Sequence, residues 1–151
     1  MNVHCSYTKL VDPKSLKPHP RNPNTHNEKQ ISLLVKILSA QGWRSPITVS
    51  KRSGYVVRGH GRLEAAIMAG MIQVPVDLQD YDSEEMETAD LLADNSLSEL
   101  SIRNRSDLKD LLEELDTGAF DMDLTGYDFG RLSTVIRLYV PVRRVCLMLS
   151  T

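Results

Sequence analysis

The chain passes from a predicted strand into a predicted helix at Val56-Val57-Arg58-Gly59-His60-Gly61-Arg62-Leu63, where two glycines follow β-prone residues. Glycine permits a tight turn and close backbone approach, the helix N-terminus offers unpaired N–H donors, and Arg62 adds a bidentate cation. Together these features suit a bound phosphate, although a glycine turn before a helix also serves purely structural purposes. The segment lacks the Lys-Ser/Thr of the phosphate-binding loop and the third glycine of the dinucleotide fingerprint, so any phosphate site follows another scheme.

Apolar periodicity on both sides of this segment predicts the other elements. Strands are predicted at residues 8–11, 46–50, 54–58 and 74–78, the middle two as an antiparallel pair. Helices are predicted from 27 to a stop at Gly42, at 63–69, from the capping Ser83 towards Leu97, and after a cap at Ser106 with Leu108, Leu111, Leu112 and Leu115 on one face. This order predicts an α/β fold of the α+β type with a mixed sheet, rather than a doubly wound repeat.

Two further features concern the loop and the core. Four prolines between residues 13 and 23 exclude an α-helix there and predict a stiff, extended loop. Trp43 follows the apolar face of the first helix and precedes a strand, so its side chain is predicted to lie in the core.

Composition is typical of a globular protein. The chain has 151 residues, of which 41% are hydrophobic and 25% charged, and the sequence shows neither a membrane-spanning apolar run nor a secretory signal. Cys5 and Cys146 match no metal-binding or redox spacing. These features predict a cytoplasmic protein that does not engage a membrane.

Charge is strongly segregated along the sequence. Residues 1–62 hold 11 Lys and Arg against 2 Asp and Glu, residues 63–130 hold 3 against 18, and residues 131–151 hold 4 against none. A basic surface of this kind attracts the phosphates of a nucleotide or a nucleic acid, although solvated faces are also often charge-biased.

The ordered set of motifs resembles the N-terminal domain of ParB-like proteins, in the ParB/sulfiredoxin superfamily. The motifs that carry the resemblance lie between about residues 8 and 100. They are the loop 17–24, the helix through Ile31 to Leu38, Gly42 with the strand at 46–49, the 59–66 box, Val74-Pro75-Val76, and Ala93-Asp94-Asn95.

The resemblance implies a nucleotide site. In that family the glycine box and its terminal arginine hold phosphates, which assigns Gly59, His60, Gly61 and Arg62 to phosphate binding. The upstream loop reaches the nucleotide, which implies roles for Arg21 and Asn22. The acidic-Asn pair of the later helix helps to organise Mg²⁺, which assigns Asp94 and Asn95, and oxygen ligands suit that ion. CTP or ATP is the implied nucleotide.

Three departures from the family pattern indicate which kind of ParB-like protein the sequence resembles most. His60, Gly61 and Glu64 replace charged or basic residues of the partition proteins' box, and Ser98 stands where a further arginine is expected. Sulfiredoxins need a cysteine in the box, where this chain has His60, so sulfinic acid repair is excluded. The Gly-His-Gly-Arg form is most similar to ParB-like domains of phages and prophages, often associated with DNA methyltransferases.

The leading functional hypothesis is a nucleotide-binding domain acting in phage or bacterial DNA transactions. It includes Mg²⁺-dependent nucleoside triphosphatase or nuclease activity, with His60 or Glu64 as the base. The alternatives are a non-catalytic adaptor that binds DNA non-specifically through its basic half and partners a DNA methyltransferase, and a ParB-like serine-type kinase. A homo-oligomer is a further expectation.

Three segments are predicted along the chain. Residues 1–100 form the nucleotide-binding domain and residues 101–130 a helical extension. Residues 131–151 form an apolar, basic tail that is either an interface or disordered.

Overall fold

Within residues 2–101 and 104–127, which the computed structural model describes, the chain forms five strands and four α-helices. The strands are β1 (Lys9–Val11), β2 (Lys17–Pro18), β3 (Ile47–Ser50), β4 (Tyr55–Arg58) and β5 (Val74–Gln79). The helices are α1 (Glu28–Gln41), α2 (His60–Met68), α3 (Glu84–Glu99) and α4 (Arg105–Leu115). The prediction of a tail at 131–151 lies outside the described residues.

The strands form one mixed sheet in the order β1-β5-β3-β4-β2. β1 pairs with β5 and β3 with β4 in antiparallel fashion, while β3 pairs with β5 and β4 with β2 in parallel. The predicted α/β fold with a mixed sheet is therefore confirmed, including the antiparallel pair. The sequence did not predict β2, because two residues within a proline-rich loop carry no alternating pattern.

The proline-rich segment is mostly extended, as predicted, but it begins with a short 3-10 turn at Pro13–Ser15. Asp12 caps this turn by accepting a hydrogen bond from the Lys14 N–H. Proline is tolerated at the first position of such a turn, because the N–H that it lacks would have no partner there.

Helix α1 covers one side of the core. Asn27 caps it by accepting from the Gln30 N–H, and Gly42 ends it with φ of +72°, as predicted. The helix buries Ile31 and Leu38 against a cluster that includes the fully buried Trp43, so the predicted core position of Trp43 is confirmed.

Helix α2 begins three residues earlier than the sequence prediction. The Leu63 N–H donates to the Gly59 carbonyl at 3.0 Å, so Gly59 is the N-cap and His60 the first helical residue. Gly59 has φ of +90°, in the left-handed region that glycine adopts without a Cβ clash. The prediction failed because glycine has a low helix propensity, yet Gly61 lies within the first turn.

The two later helices differ in how well the sequence placed them. Ser83 caps α3 as predicted, accepting from the Met86 N–H. The cap of α4 is Asn104 rather than Ser106, because the Asn104 side chain accepts from two backbone N–H groups and starts the helix earlier. Of the four leucines predicted on one face of α4, Leu112 is buried.

The backbone divides into two compact units, with the boundary after residue 102. The first unit contains the sheet and helices α1 to α3, and the second contains α4. No helix of the described segments is long and apolar enough to cross a bilayer.

Candidate functional site

A cleft with a volume of about 170 Å³ lies at the N-terminus of α2, in the first unit. Three segments supply its polar lining: Asn22, Asn24 and His26 from the loop before α1, residues 59–62 from the turn into α2, and Asp94 and Asn95 from α3. The sheet places these segments together, because β4 leads directly into α2 while α3 packs along β4. The cleft is thus open, has both polar and apolar lining groups, and is built from backbone as well as side chains.

The turn at Gly59 sets the position of Arg62. A Cβ on Gly59 would lie 2.9 Å from Nη2 of Arg62, so the guanidinium rests directly against the glycine. Nη2 donates to the Pro46 carbonyl at 3.1 Å, whereas the buried Nε has no partner among the described residues. Burial lowers the pKa of Arg62, and Asp94 opposes that shift. A partly buried guanidinium with an unsatisfied, buried N–H is a suitable partner for an anion.

His60 lines the cleft and is held in a neutral form. Its Nε2 accepts a hydrogen bond from the backbone N–H of His19 at 3.2 Å, so this nitrogen carries no proton. Burial lowers the pKa of His60, and the nearby His19 and His26 lower it further, against smaller opposing effects of Asp94 and the Val56 backbone. Its Nε2 lone pair is therefore already used within the protein.

Gly61 permits a close contact between the turn and the side chains of Leu34 and His26. A Cβ at this position would lie 3.1 Å from Cδ1 of Leu34 and 3.2 Å from Cε1 of His26. The imidazole of His26 therefore packs directly against the first turn of α2. It adds a titratable ring to the lining that the sequence analysis did not assign to the site.

Helix α3 brings an acidic and an amide side chain to the cleft. Oδ1 of Asp94 lies 3.7 Å from Nη1 of Arg58, and the Asn95 amide donates to the Leu91 carbonyl of its own helix. Arg58 also forms a bidentate ion pair with Asp90, which in turn accepts from the Tyr81 hydroxyl. Bonding to Arg58 lowers the pKa of Asp90. These contacts fix α3 to the end of β4.

The structure brings together most of the predicted site residues. Those that line the cleft are Asn22, Gly59, His60, Gly61, Arg62, Asp94 and Asn95. Arg21 and Glu64 are not among the lining residues. Arg21 is exposed, and its Nη1 lies 3.4 Å from Oε1 of Glu84. Glu64 is exposed on α2. The loop therefore presents Asn22 and Asn24 to the cleft rather than the neighbouring arginine.

Sequence reasoning missed one buried carboxylate close to the site. Glu87 of α3 is fully buried and accepts hydrogen bonds from the hydroxyls of Ser53 at 2.6 Å and Ser50 at 2.7 Å. Burial raises its pKa, but these bonds, with Arg52 and His19, outweigh that effect and leave the pKa below its ordinary value. The sequence held no signal for this, because an acid in the first turns of a helix normally faces solvent.

Comparison with known proteins identifies the family. The model for the ParB N-terminal domain matches residues 2–96. The chain belongs to this family. The ParB-like nuclease domain-containing protein YnaK of Escherichia coli K12 is 36% identical over 63 residues, which cover 42% of this chain and 71% of that protein. A ParB-like protein of Sulfolobus acidocaldarius is 31% identical over 80 residues, covering 51% of this chain but 37% of the relative.

Solved ParB structures share the fold. The C-terminally truncated chromosome-partitioning protein ParB of Caulobacter crescentus, complexed with CTP-gamma-S, gives a TM-score of 0.68 at 18% identity and covers 89% of this chain and 79% of that one. The same protein complexed to the centromeric parS site gives a TM-score of 0.51 at 18% identity. That match covers 89% of this chain and 74% of that one. At this identity the likeness establishes the ParB fold of the chain.

Proposed function

We propose that the cleft binds the phosphates of a nucleoside triphosphate and that the protein acts in DNA transactions. The observation that carries the proposal is the convergence of Arg62, the N-terminus of α2 and the Asn22 loop on one cleft. The N-terminal N–H groups of a helix and a partly buried guanidinium both favour an anion. The Caulobacter ParB that shares the fold was crystallised with CTP-gamma-S, which supports CTP as the first candidate.

The acidic side of the cleft has a separate role in this proposal. Asp94 and Asn95 supply one carboxylate and one amide oxygen, which suits Mg²⁺ bound mainly by phosphates and water. No group of three or more metal-ligating His, Cys, Asp or Glu occurs in the described part of the chain, so a dedicated protein cage is not the expected form. Asp94 and Asn95 would hold the ion, which would supply positive charge to offset that of the phosphates.

The geometry supports binding more strongly than turnover. Nε2 of His60 accepts the His19 N–H, so this nitrogen would have to give up that bond to act as a base. Glu64 is exposed and lies outside the cleft lining. Hydrolase or nuclease activity is accordingly the less favoured form of the proposal.

Calorimetric titration tests the nucleotide site. The protein would be titrated with CTP, ATP, GTP and ADP, each with Mg²⁺, beside the variants Arg62→Ala and Arg44→Ala. Arg44 is an exposed arginine outside the cleft, so it matches the loss of charge alone. Arg62→Ala is expected to weaken binding at least tenfold, about 1.4 kcal/mol, while Arg44→Ala retains wild-type affinity. Absence of binding to all four nucleotides by the wild type would refute the site.

DNA binding by the basic half is a second candidate function, favoured by the distribution of exposed charge. Nine of the eleven Lys and Arg residues in positions 1–62, all but Arg58 and Arg62, are exposed. Exposed cations attract DNA phosphates without reading sequence. This function does not need the cleft, so the two candidates can be tested separately.

Salt dependence tests the second candidate. Binding to a duplex would be followed by fluorescence anisotropy at several salt concentrations, for the wild type and a Lys14→Gln/Lys17→Gln variant. Two lost phosphate contacts should reduce the slope of log K against log salt by about two. Lys109→Gln, which removes a cation of α4, serves as the control. A wild-type affinity that does not vary with salt would contradict the proposal.

A further inference from the structure

Glu87 has no part in the proposed nucleotide contacts, yet it is fully buried and charged. The other buried polar residues in the described segments are His19, Ser50 and His60, and all three lie within reach of it or of one another. A buried carboxylate costs free energy unless several donors compensate for the lost water. Here those donors come from two different segments of the chain.

The first segment is the turn between β3 and β4. Ser50 and Ser53 donate their hydroxyls to Glu87, and Nε of Arg52 donates at 3.2 Å. Ser50 also accepts from the backbone N–H groups of Arg52 and Ser53. The carboxylate therefore organises this turn through both of its oxygens.

The second segment is the proline-rich loop, which Glu87 reaches through His19. Nε2 of His19 lies 3.4 Å from Oε1 of Glu87, and the imidazole packs edge-on against Tyr55 with ring centroids 5.5 Å apart. Nδ1 of the same ring accepts the Arg21 N–H at 3.2 Å, so the proton of the neutral ring is on Nε2, facing Glu87. The orientation of His19 is thus fixed on both sides of the ring.

The loop follows from His19 into the cleft. The His19 N–H donates to Nε2 of His60. The His19 carbonyl accepts the Asn22 N–H at 3.1 Å. The Asn22 side chain then bonds the backbone of Asn24 in both directions, and both asparagines line the cleft. Asp94 lies seven positions after Glu87, about two helical turns, so both lie on the same face of α3.

We propose that Glu87 is a positioning residue for the phosphate cleft: through His19 it holds Asn22 and Asn24 opposite the turn at residues 59–62. This proposal rests on the proposed function in one respect, namely that the cleft binds a nucleotide. The ordering of the loop does not depend on a ligand and can be measured without one.

The test compares Glu87→Gln with Glu85→Gln. Glu85 is exposed on the same helix, so it matches the change of charge without touching the loop. Backbone hydrogen exchange at His19 and Asn22 is expected to quicken at least tenfold in Glu87→Gln and to stay at the wild-type rate in Glu85→Gln. Exchange at Leu78, whose N–H donates to the Thr8 hydroxyl beside the β1–β5 pair, should stay unchanged, which shows that the sheet is intact.

Nucleotide affinity supplies the second readout. For the nucleotide that the wild type binds most tightly, Glu87→Gln is expected to lower the affinity about tenfold. Glu85→Gln is expected to keep the wild-type affinity. Unchanged loop exchange, or faster exchange with full affinity, would overturn the positioning role. If the wild type binds no nucleotide but Glu87→Gln still loosens the loop, the proposed function fails while the link between Glu87 and the loop stands.

Imidazole nitrogen spectra of the wild type keep the test independent of whether the variant folds. Long-range ¹H–¹⁵N correlation at pH 7 should show His60 protonated on Nδ1 with Nε2 bare, and His19 protonated on Nε2 with Nδ1 bare. The opposite tautomer at either ring would break the connection from Glu87 to the loop and would overturn the proposal.

Discussion

A single backbone angle places the principal cation of the cleft. Gly59 adopts φ of +90°, and its missing side chain leaves the space in which Nη2 of Arg62 lies. The guanidinium can then reach the Pro46 carbonyl while keeping an N–H at Nε that no described residue accepts. The position of the guanidinium therefore depends on the lack of a side chain at Gly59 as much as on Arg62 itself.

Replacing Gly59 with alanine should therefore disturb both stability and binding. Alanine in the left-handed region costs about 1–2 kcal/mol, and its Cβ would also meet Arg62 at 2.9 Å. Gly70→Ala is the matched control, because Gly70 has φ of +64° but no described atom within 4 Å of the point where a Cβ would lie. Urea unfolding should show a larger loss for Gly59→Ala, and calorimetry should show nucleotide binding lost there alone. Equal effects of the two variants would mean that the Arg62 contact is unimportant.

At the scale of elements, the starts of the helices were harder to predict than their courses. Helix α4 shows the reason clearly. Asn104 and Ser106 are both good N-cap residues two positions apart, and the sequence offers no rule to choose between them. In the structure Asn104 accepts from the N–H groups of Ser106 and Asp107 and also donates to the Asp107 carboxylate.

The two candidate caps can be separated by mutation. Asn104→Ala should destabilise α4 by about 1 kcal/mol, because the first N–H groups lose their acceptor. Ser106→Ala should have little effect, since Ser106 is already within the helix and alanine is a better helix former. Hydrogen exchange of the α4 amides provides the measurement. Greater loosening in Ser106→Ala than in Asn104→Ala would show that the cap is wrongly assigned.

Local patterns predicted most of the strands and the helices, whereas Asn22, Asp94 and Asn95, which line the cleft, were assigned from the family resemblance. Periodicity predicted α1 and the strands other than β2, and the glycine box with Arg62 predicted the turn that leads into α2. Glu87 was missed because its burial arises from a turn 34 to 37 residues away in the chain. Arg21 was assigned from the family resemblance, whereas the structure places Asn22 and Asn24 in the cleft lining and their side-chain and backbone groups hydrogen-bond to each other.

For the molecule as a whole, the free energy of unfolding depends on pH through groups whose pKa differs between the folded and unfolded chain. His60 is held neutral, with its pKa lowered from 6.5 mainly by burial. Because the unfolded chain binds this proton more readily, the contribution of neutral His60 is complete above about pH 6.5 and is lost as the pH falls below that value. Asp90 has the lowered pKa of a paired carboxylate, so its contribution is lost only at more acidic pH, starting near its ordinary value of 3.8.

The melting temperature should therefore fall in two stages as the pH is lowered from 8 to 3. His60→Gln should flatten the first stage, below about pH 6.5, because the glutamine carbonyl can accept the His19 N–H without taking up a proton. The second stage should persist in that variant. Thermal unfolding followed across this range would contradict the assignment if the first stage were the same in the wild type and His60→Gln.

Trp43 is the only tryptophan of the chain, and its backbone pairs with the N-terminal segment at Val3. Its backbone N–H donates to the Asn2 carbonyl and its carbonyl accepts the His4 N–H, each at 2.8 Å, while the indole is fully buried. Tryptophan emission is thus a built-in optical probe of the first unit alone. A fluorescence melt compared with a far-ultraviolet circular dichroism melt would show whether the second unit unfolds in the same cooperative step.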